Sequence, residues 1–150
     1  MNATNPWLIV GGGLSLAAAV AHVACIFGGP DWYRFFGAGE PIARAAERGS
    51  WRPPLMTLGI ASILAIWAAY AFAGAGLLPR LPLMRTALVA ITTVYLARGL
   101  VVLYPPLLGR TDLSAAFILW SSLIVLAIGI AYAVGTWRAW PILSTKGSIA

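Results

Sequence analysis

Two ionisable side chains of this 150-residue chain, His22 and Arg98, lie inside long apolar runs. A charge placed in hydrocarbon is expensive, and where one is kept it tends to bind, titrate or pair. His22 lies six residues, roughly 9 Å of helix, before Gly28, and Arg98 lies seven residues, roughly 10 Å, before Pro105. If both runs end at the same membrane face, the two groups share a depth. Ser62, Ser121 and Ser122 fall near that level, and Tyr95 sits one turn from Arg98 on the same side of its run. Such a layer suits an anionic or amphipathic ligand. Arg98 would grip a carboxylate or phosphate through its planar fork, with His22 and Tyr95 beside it and Glu40 and Arg44 in the connection above. The bland readings are that Arg98 snorkels or pairs with Glu40 or Glu47, and that His22 bonds a neighbouring helix.

Sharper chemistries find less support. Haem ligation needs a second axial group, and the nearest candidate, Met56, falls a turn or more shallower than His22. A Ser62–His22 or Ser121–His22 dyad would lack the Gly-x-Ser-x-Gly elbow that exposes a nucleophile. Proton-coupled export of the kind run by small four-helix multidrug transporters ordinarily uses an intramembrane carboxylate, whereas all four acidic residues here lie in connections. Gly11-Gly12-Gly13 has no strand before it and reads as a packing site, not a phosphate loop. The single cysteine, Cys25, has no partner for an intramolecular disulfide. No metal site and no cofactor is expected.

The elements that would position these groups are membrane spans. Hydrophobic residues make up 61% of the chain and charged ones 9%, which is not the composition of a water-facing domain. Crossing the ~30 Å hydrocarbon core takes about 20 residues. Four runs qualify, at about 7–27, 55–78, 83–104 and 113–137. Gly28-Gly29-Pro30, Pro79, Pro105-Pro106 and Pro141 stop them, Pro53-Pro54 opens the second, and Thr111 or Asp112 caps the fourth. Nothing before Trp7 is basic, so the first run is expected to be a retained helix and not a cleaved signal. Trp7, Tyr104, Trp137 and Trp140 fall at the predicted borders, where aromatic belts form.

The connection 28–54 is too long for a turn and holds three of the four acidic residues. Glu40-Pro41 should open a short helix ending at Gly49, and Trp32, Tyr33, Phe35 and Phe36 around Arg34 describe an interfacial segment. The expected fold is therefore all-α: an antiparallel four-transmembrane-helix bundle with a short amphipathic, interfacial segment between helices 1 and 2, forming one membrane domain over residues 1–150.

Small residues should build the contact faces, since lipid offers no hydrophobic drive for helix association. Gly11, Ser15, Ala18, His22 and Cys25 form one stripe. Ala61, Ala65, Ala69 and Ala73 recur every four residues, and Ala115, Ser122, Gly129 and Thr136 every seven, a period that implies left-handed packing. The same faces could serve a homodimer or a larger membrane complex.

Charge gives partner and orientation. Ten basic residues, nine of them Arg, oppose four acidic ones. They flank apolar runs and do not gather on one soluble face, so they fit lipid headgroups and not a nucleic acid. Arg80, Arg85, Arg138 and Lys146 share the terminal side; Arg34, Arg44, Arg48, Arg52 and Arg110 lie opposite. The terminal side carries no acidic residue, which favours cytoplasmic termini in a bacterial inner membrane. The architecture resembles that of many small four-helix bacterial membrane proteins. Taken together, the sequence reads as a non-catalytic binding or accessory protein for a lipid or small anionic amphiphile. A small transporter or a membrane enzyme using the same His22 and Arg98 layer is the alternative.

Overall fold

The computed structural model describes residues 4–104 and 113–144. It is helical throughout, with α1 at Pro6–Phe35, α2 at Glu40–Glu47, α3 at Arg52–Gly74, α4 at Met84–Leu100 and α5 at Ala115–Ser144. A single 3-10 turn, Val101–Leu103, extends α4. α1, α3, α5 and α4 together with its 3-10 turn are long and apolar enough to cross a membrane, and the chain is a multi-pass membrane protein. The expected stop at Pro105-Pro106, the cap at Thr111 or Asp112, and the charges of Arg110 and Lys146 lie outside the described residues.

Asn5 starts α1 by accepting the Leu8 N–H on its side chain at 3.3 Å, with Pro6 in the first turn where no donor is needed. The expected end at Gly28-Gly29-Pro30 is a kink instead. Gly29 adopts φ 70° and ψ −155°, a backbone state natural only to glycine. Pro30 then serves as the first residue of a new helical segment that runs to Phe35. Proline breaks hydrogen bonding towards its N-terminal side, and nothing prevents a helix from resuming after it. Pro141 is likewise passed: α5 continues to Ser144, and the Arg80 guanidinium donates to the Ile142 carbonyl in that last turn at 3.2 Å.

α1 packs chiefly on α3 and α4 chiefly on α5, and the two pairs meet mainly through α1 and α5. Small residues set the spacing. A Cβ on Gly99 would stand 2.7 Å from the Leu126 backbone, and one on Gly129 would stand 3.0 Å from the Leu96 backbone. Of the seven-residue series in α5, Ser122, Gly129 and Thr136 are buried on one seam, while Ala115, at the start of the helix, is exposed. In α3 the four-residue alanine repeat leaves the seam: Ala61 and Ala73 are buried but Ala65 is exposed. Outside, Leu58, Ile66, Val94, Trp120 and Ile124 are exposed, a surface suited to lipid. Trp7, Tyr104, Trp137 and Trp140 are exposed at the helix ends.

α2 lies across the end of the bundle opposite the chain termini. Its one fully buried residue, Ala43, rests with Cys25 and Tyr33. Thr57 of α3 donates to the Tyr33 hydroxyl at 3.3 Å.

Candidate functional site

The bundle axis is closed by a hydrogen-bonded chain with one member from each spanning helix. Ser15 Oγ of α1 lies 2.8 Å from the Tyr95 hydroxyl of α4 and 3.0 Å from the Tyr132 hydroxyl of α5, which donates to the Trp67 carbonyl of α3 at 3.0 Å. A carbonyl can only accept, so the proton order follows: Tyr95 donates to Ser15, Ser15 to Tyr132, and Tyr132 to Trp67. The rings pack alongside, with centroids of Trp67 and Tyr95 5.0 Å apart and of Tyr95 and Tyr132 5.3 Å apart. Every hydroxyl in the chain is satisfied, so it is a rigid partition across the bundle.

The residues expected to form one polar layer are held in separate places. Tyr95 belongs to the partition. His22 is half-buried and donates Nδ1–H to Ala18 O of its own helix at 2.8 Å. Arg98, also half-buried, donates to Ser122 Oγ at 3.2 Å and Ser121 Oγ at 3.5 Å, and among the described residues it meets no carboxylate. Its predicted depth beside those two serines matches the structure. Ser62 turns outward and bonds Leu58 O of its own helix.

Glu40 faces Arg34 and Arg44 and not Arg98. It accepts from Arg34 at 3.0 and 3.1 Å and from Arg44 at 3.0 Å, while Arg34 also reaches Asp31 at 3.2 Å and Glu47 at 2.6 Å. The Arg34 guanidinium first, and Arg44 second, hold the Glu40 carboxyl well below its ordinary 4.5, at about 2. Three carboxylates thus converge on one arginine at the kinked end of α1. The cluster pins α2 to the bundle.

At the other end, the start of α1, the α3–α4 connection and the last turns of α5 enclose a cavity of about 630 Å³. Gly74, Met84, Ala139 and Leu143 form its apolar wall, and Arg80 and Arg138 are the charged residues in its lining. Asn5 braces this end by donating its side-chain N–H to the Gly135 carbonyl at 2.7 Å and its backbone N–H to Ala75 O at 3.5 Å. No family model, curated protein or solved structure matches the chain. The chemistry must therefore be read from the cavity itself. Arg85 sits at this end too, its guanidinium 4.3 Å from the centroid of the Trp140 ring. All three described carboxylates belong to the Arg34 cluster at the far end. The terminal face is accordingly a cationic rim over an apolar wall.

Sequence reasoning did not assemble this cavity, because its lining comes from three parts of the chain far apart in sequence. One signal pointed to it. The terminal side lacks acidic residues, a fact that bears on binding as much as on orientation.

Proposed function

We propose that this protein is a small, non-catalytic membrane binding or accessory protein that holds an anionic amphiphile at its terminal face, with that face towards the cytoplasm of a bacterial inner membrane. The observation that carries the reading is the apolar-walled cavity with Arg80 and Arg138 in its lining. Its volume lies within the roughly 300–1,000 Å³ common for small-molecule sites. Arginine supplies the planar fork that phosphate and carboxylate prefer, and Met84, Ala139 and Leu143 supply the surface for an apolar tail. The closed partition of Tyr95, Ser15 and Tyr132 favours holding a ligand at one end over passing it through.

Native mass spectrometry of the protein with phosphatidylglycerol and with phosphatidylcholine tests this reading. A basic residue at the membrane surface contributes about 1 kcal/mol to binding an anionic lipid. The Arg80→Gln/Arg138→Gln protein should therefore bind phosphatidylglycerol about thirtyfold more weakly, at about 2 kcal/mol, with phosphatidylcholine unchanged. Equal retention of phosphatidylglycerol by wild type and variant removes the reading.

A further inference from the structure

A second cavity, of about 540 Å³, opens between α4 and α5 and shares no lining residue with the first. We infer that this groove seats one anionic glycerophospholipid, with its phosphate at Arg85, its ester carbonyls beside Thr136 and an acyl chain running down the α4–α5 seam. The inference is independent of the terminal-face cavity.

The register of the two helices sets the levels. Arg85 lies over Trp140, Leu96 meets Gly129 and Gly99 meets Leu126. Each step along α4 is matched by an equal step back along α5, so Val89 is level with Thr136 and Thr92 with Ala133. All four line the groove, together with Trp140 at its mouth. Going inward from the terminal face come the Arg85 guanidinium stacked on the Trp140 indole beside the groove's mouth, then Val89 and Thr136 one turn deeper, then Ala133 with Thr92 and Thr93, whose hydroxyls bond their own helix. These three levels span two helical turns, roughly 11 Å. A glycerophospholipid presents phosphate, ester and chain in the same order.

Thr136 supplies the second observation. Its residue is 5% exposed, and among the described residues its Oγ1 has no hydrogen-bond partner. Its neighbours in the groove show the usual alternative: Thr92 donates to Leu88 O at 2.6 Å and Thr93 to Val89 O at 2.9 Å. An unspent hydroxyl in a membrane interior is unfavourable. Thr136 lines the groove, and an ester carbonyl seated beside it would accept its proton.

The test uses the full chain in nanodiscs containing phosphatidylglycerol that carries a mid-chain diazirine, with crosslinks mapped by peptide mass spectrometry. Labelling should concentrate on 89–93 and 133–140, above the outward-facing Leu58 and Ile66. Arg85→Gln should lower it about fivefold, and Thr136→Val, which keeps the side-chain shape, about threefold. Arg80→Gln/Arg138→Gln should leave it unchanged, so this site and the terminal-face cavity fail or stand separately. Because Thr136→Val removes no existing hydrogen bond, its thermal stability should be at least that of wild type, and folding cannot mask the result. Equal groove labelling by diazirine phosphatidylcholine would reduce the groove to ordinary annular lipid and overturn the inference. So would labelling no stronger in the groove than at Leu58 and Ile66, or crosslinks joining two copies through the groove.

Discussion

Ser15 is the residue on which the centre of the bundle turns, because it is both acceptor for Tyr95 and donor to Tyr132. Removing it leaves the Tyr95 O–H without its acceptor, and a phenol cannot fold back onto its own helix carbonyl as a serine or threonine can. Tyr132→Phe is gentler, since Ser15 can redirect its proton to its own helix, as Ser62 already does. Ser15→Ala should therefore cost about 1–3 kcal/mol and Tyr132→Phe less than about 1 kcal/mol. Unfolding in bicelles followed by steric trapping would measure both; a costlier Tyr132→Phe would mean that Ser15 does not redirect its proton to its own helix. At the opposite end, Glu40 is held below its ordinary value by Arg34 and Arg44. A depressed carboxyl favours the folded cluster fully above about pH 4.5 and loses that contribution as pH falls through about 2. Amide exchange across 35–47 should thus be flat from neutral pH to about 5, after correction for the intrinsic rate, and rise only in strong acid. Arg34 and the carboxylates are substantially exposed, so the effect is local.

Among the elements, the α4–α5 pair shows how far pattern carries. Ser122, Gly129 and Thr136 recur every seven residues and stay on the buried seam. The alanines of α3 recur every four, and four residues overshoot a turn by about 40°, so no single face holds them: Ala61 and Ala73 are buried, Ala69 is half-buried and Ala65 is exposed. Depth was legible for the same reason that azimuth was not. Arg98 could be placed level with Ser121 and Ser122 by counting along even crossings. Nothing in the sequence showed that Ser62 would face out or that His22 would spend its Nδ1 proton on Ala18. The kink at Gly29 and the passage through Pro141 were hidden because proline marks a lost donor, not a lost direction. Close packing gives the prediction at this scale. Gly99→Ala puts a methyl 2.7 Å from the Leu126 backbone, whereas Gly13 has nothing within 4 Å. Gly99→Ala should destabilise by about 1–3 kcal/mol, while Gly13→Ala should be neutral or slightly stabilising. Thermal unfolding in detergent checks the pair, and equal effects would mean α4 and α5 do not touch at Gly99.

At the scale of the whole molecule, the two ends differ in how their charges are spent. Asp31, Glu40 and Glu47 absorb Arg34 and Arg44 at the α2 end. Arg80, Arg85 and Arg138 lie at the other end, whereas Arg34, Arg44, Arg48 and Arg52 at the α2 end stand against three carboxylates; among the described residues the cationic excess is therefore greater where the start of α1, the α3–α4 connection and the end of α5 converge. Both lipid sites proposed above lie there, and both require that convergence to occur on one side of the bilayer. An even number of crossings has a direct consequence for accessibility. In a Cys25→Ala background, Thr4→Cys and Leu78→Cys should react with a membrane-impermeant maleimide from the same side, and Ser50→Cys from the opposite side. Right-side-out vesicles should label Ser50→Cys alone if the termini are cytoplasmic, because the cationic end is then the retained one. Labelling of Leu78→Cys and Ser50→Cys from one side would mean that α3 does not traverse. The guanidinium rim and the Arg34 cluster would then face the same water, and the difference in charge between the two ends, on which selective binding of an anionic headgroup at one of them depends, would vanish.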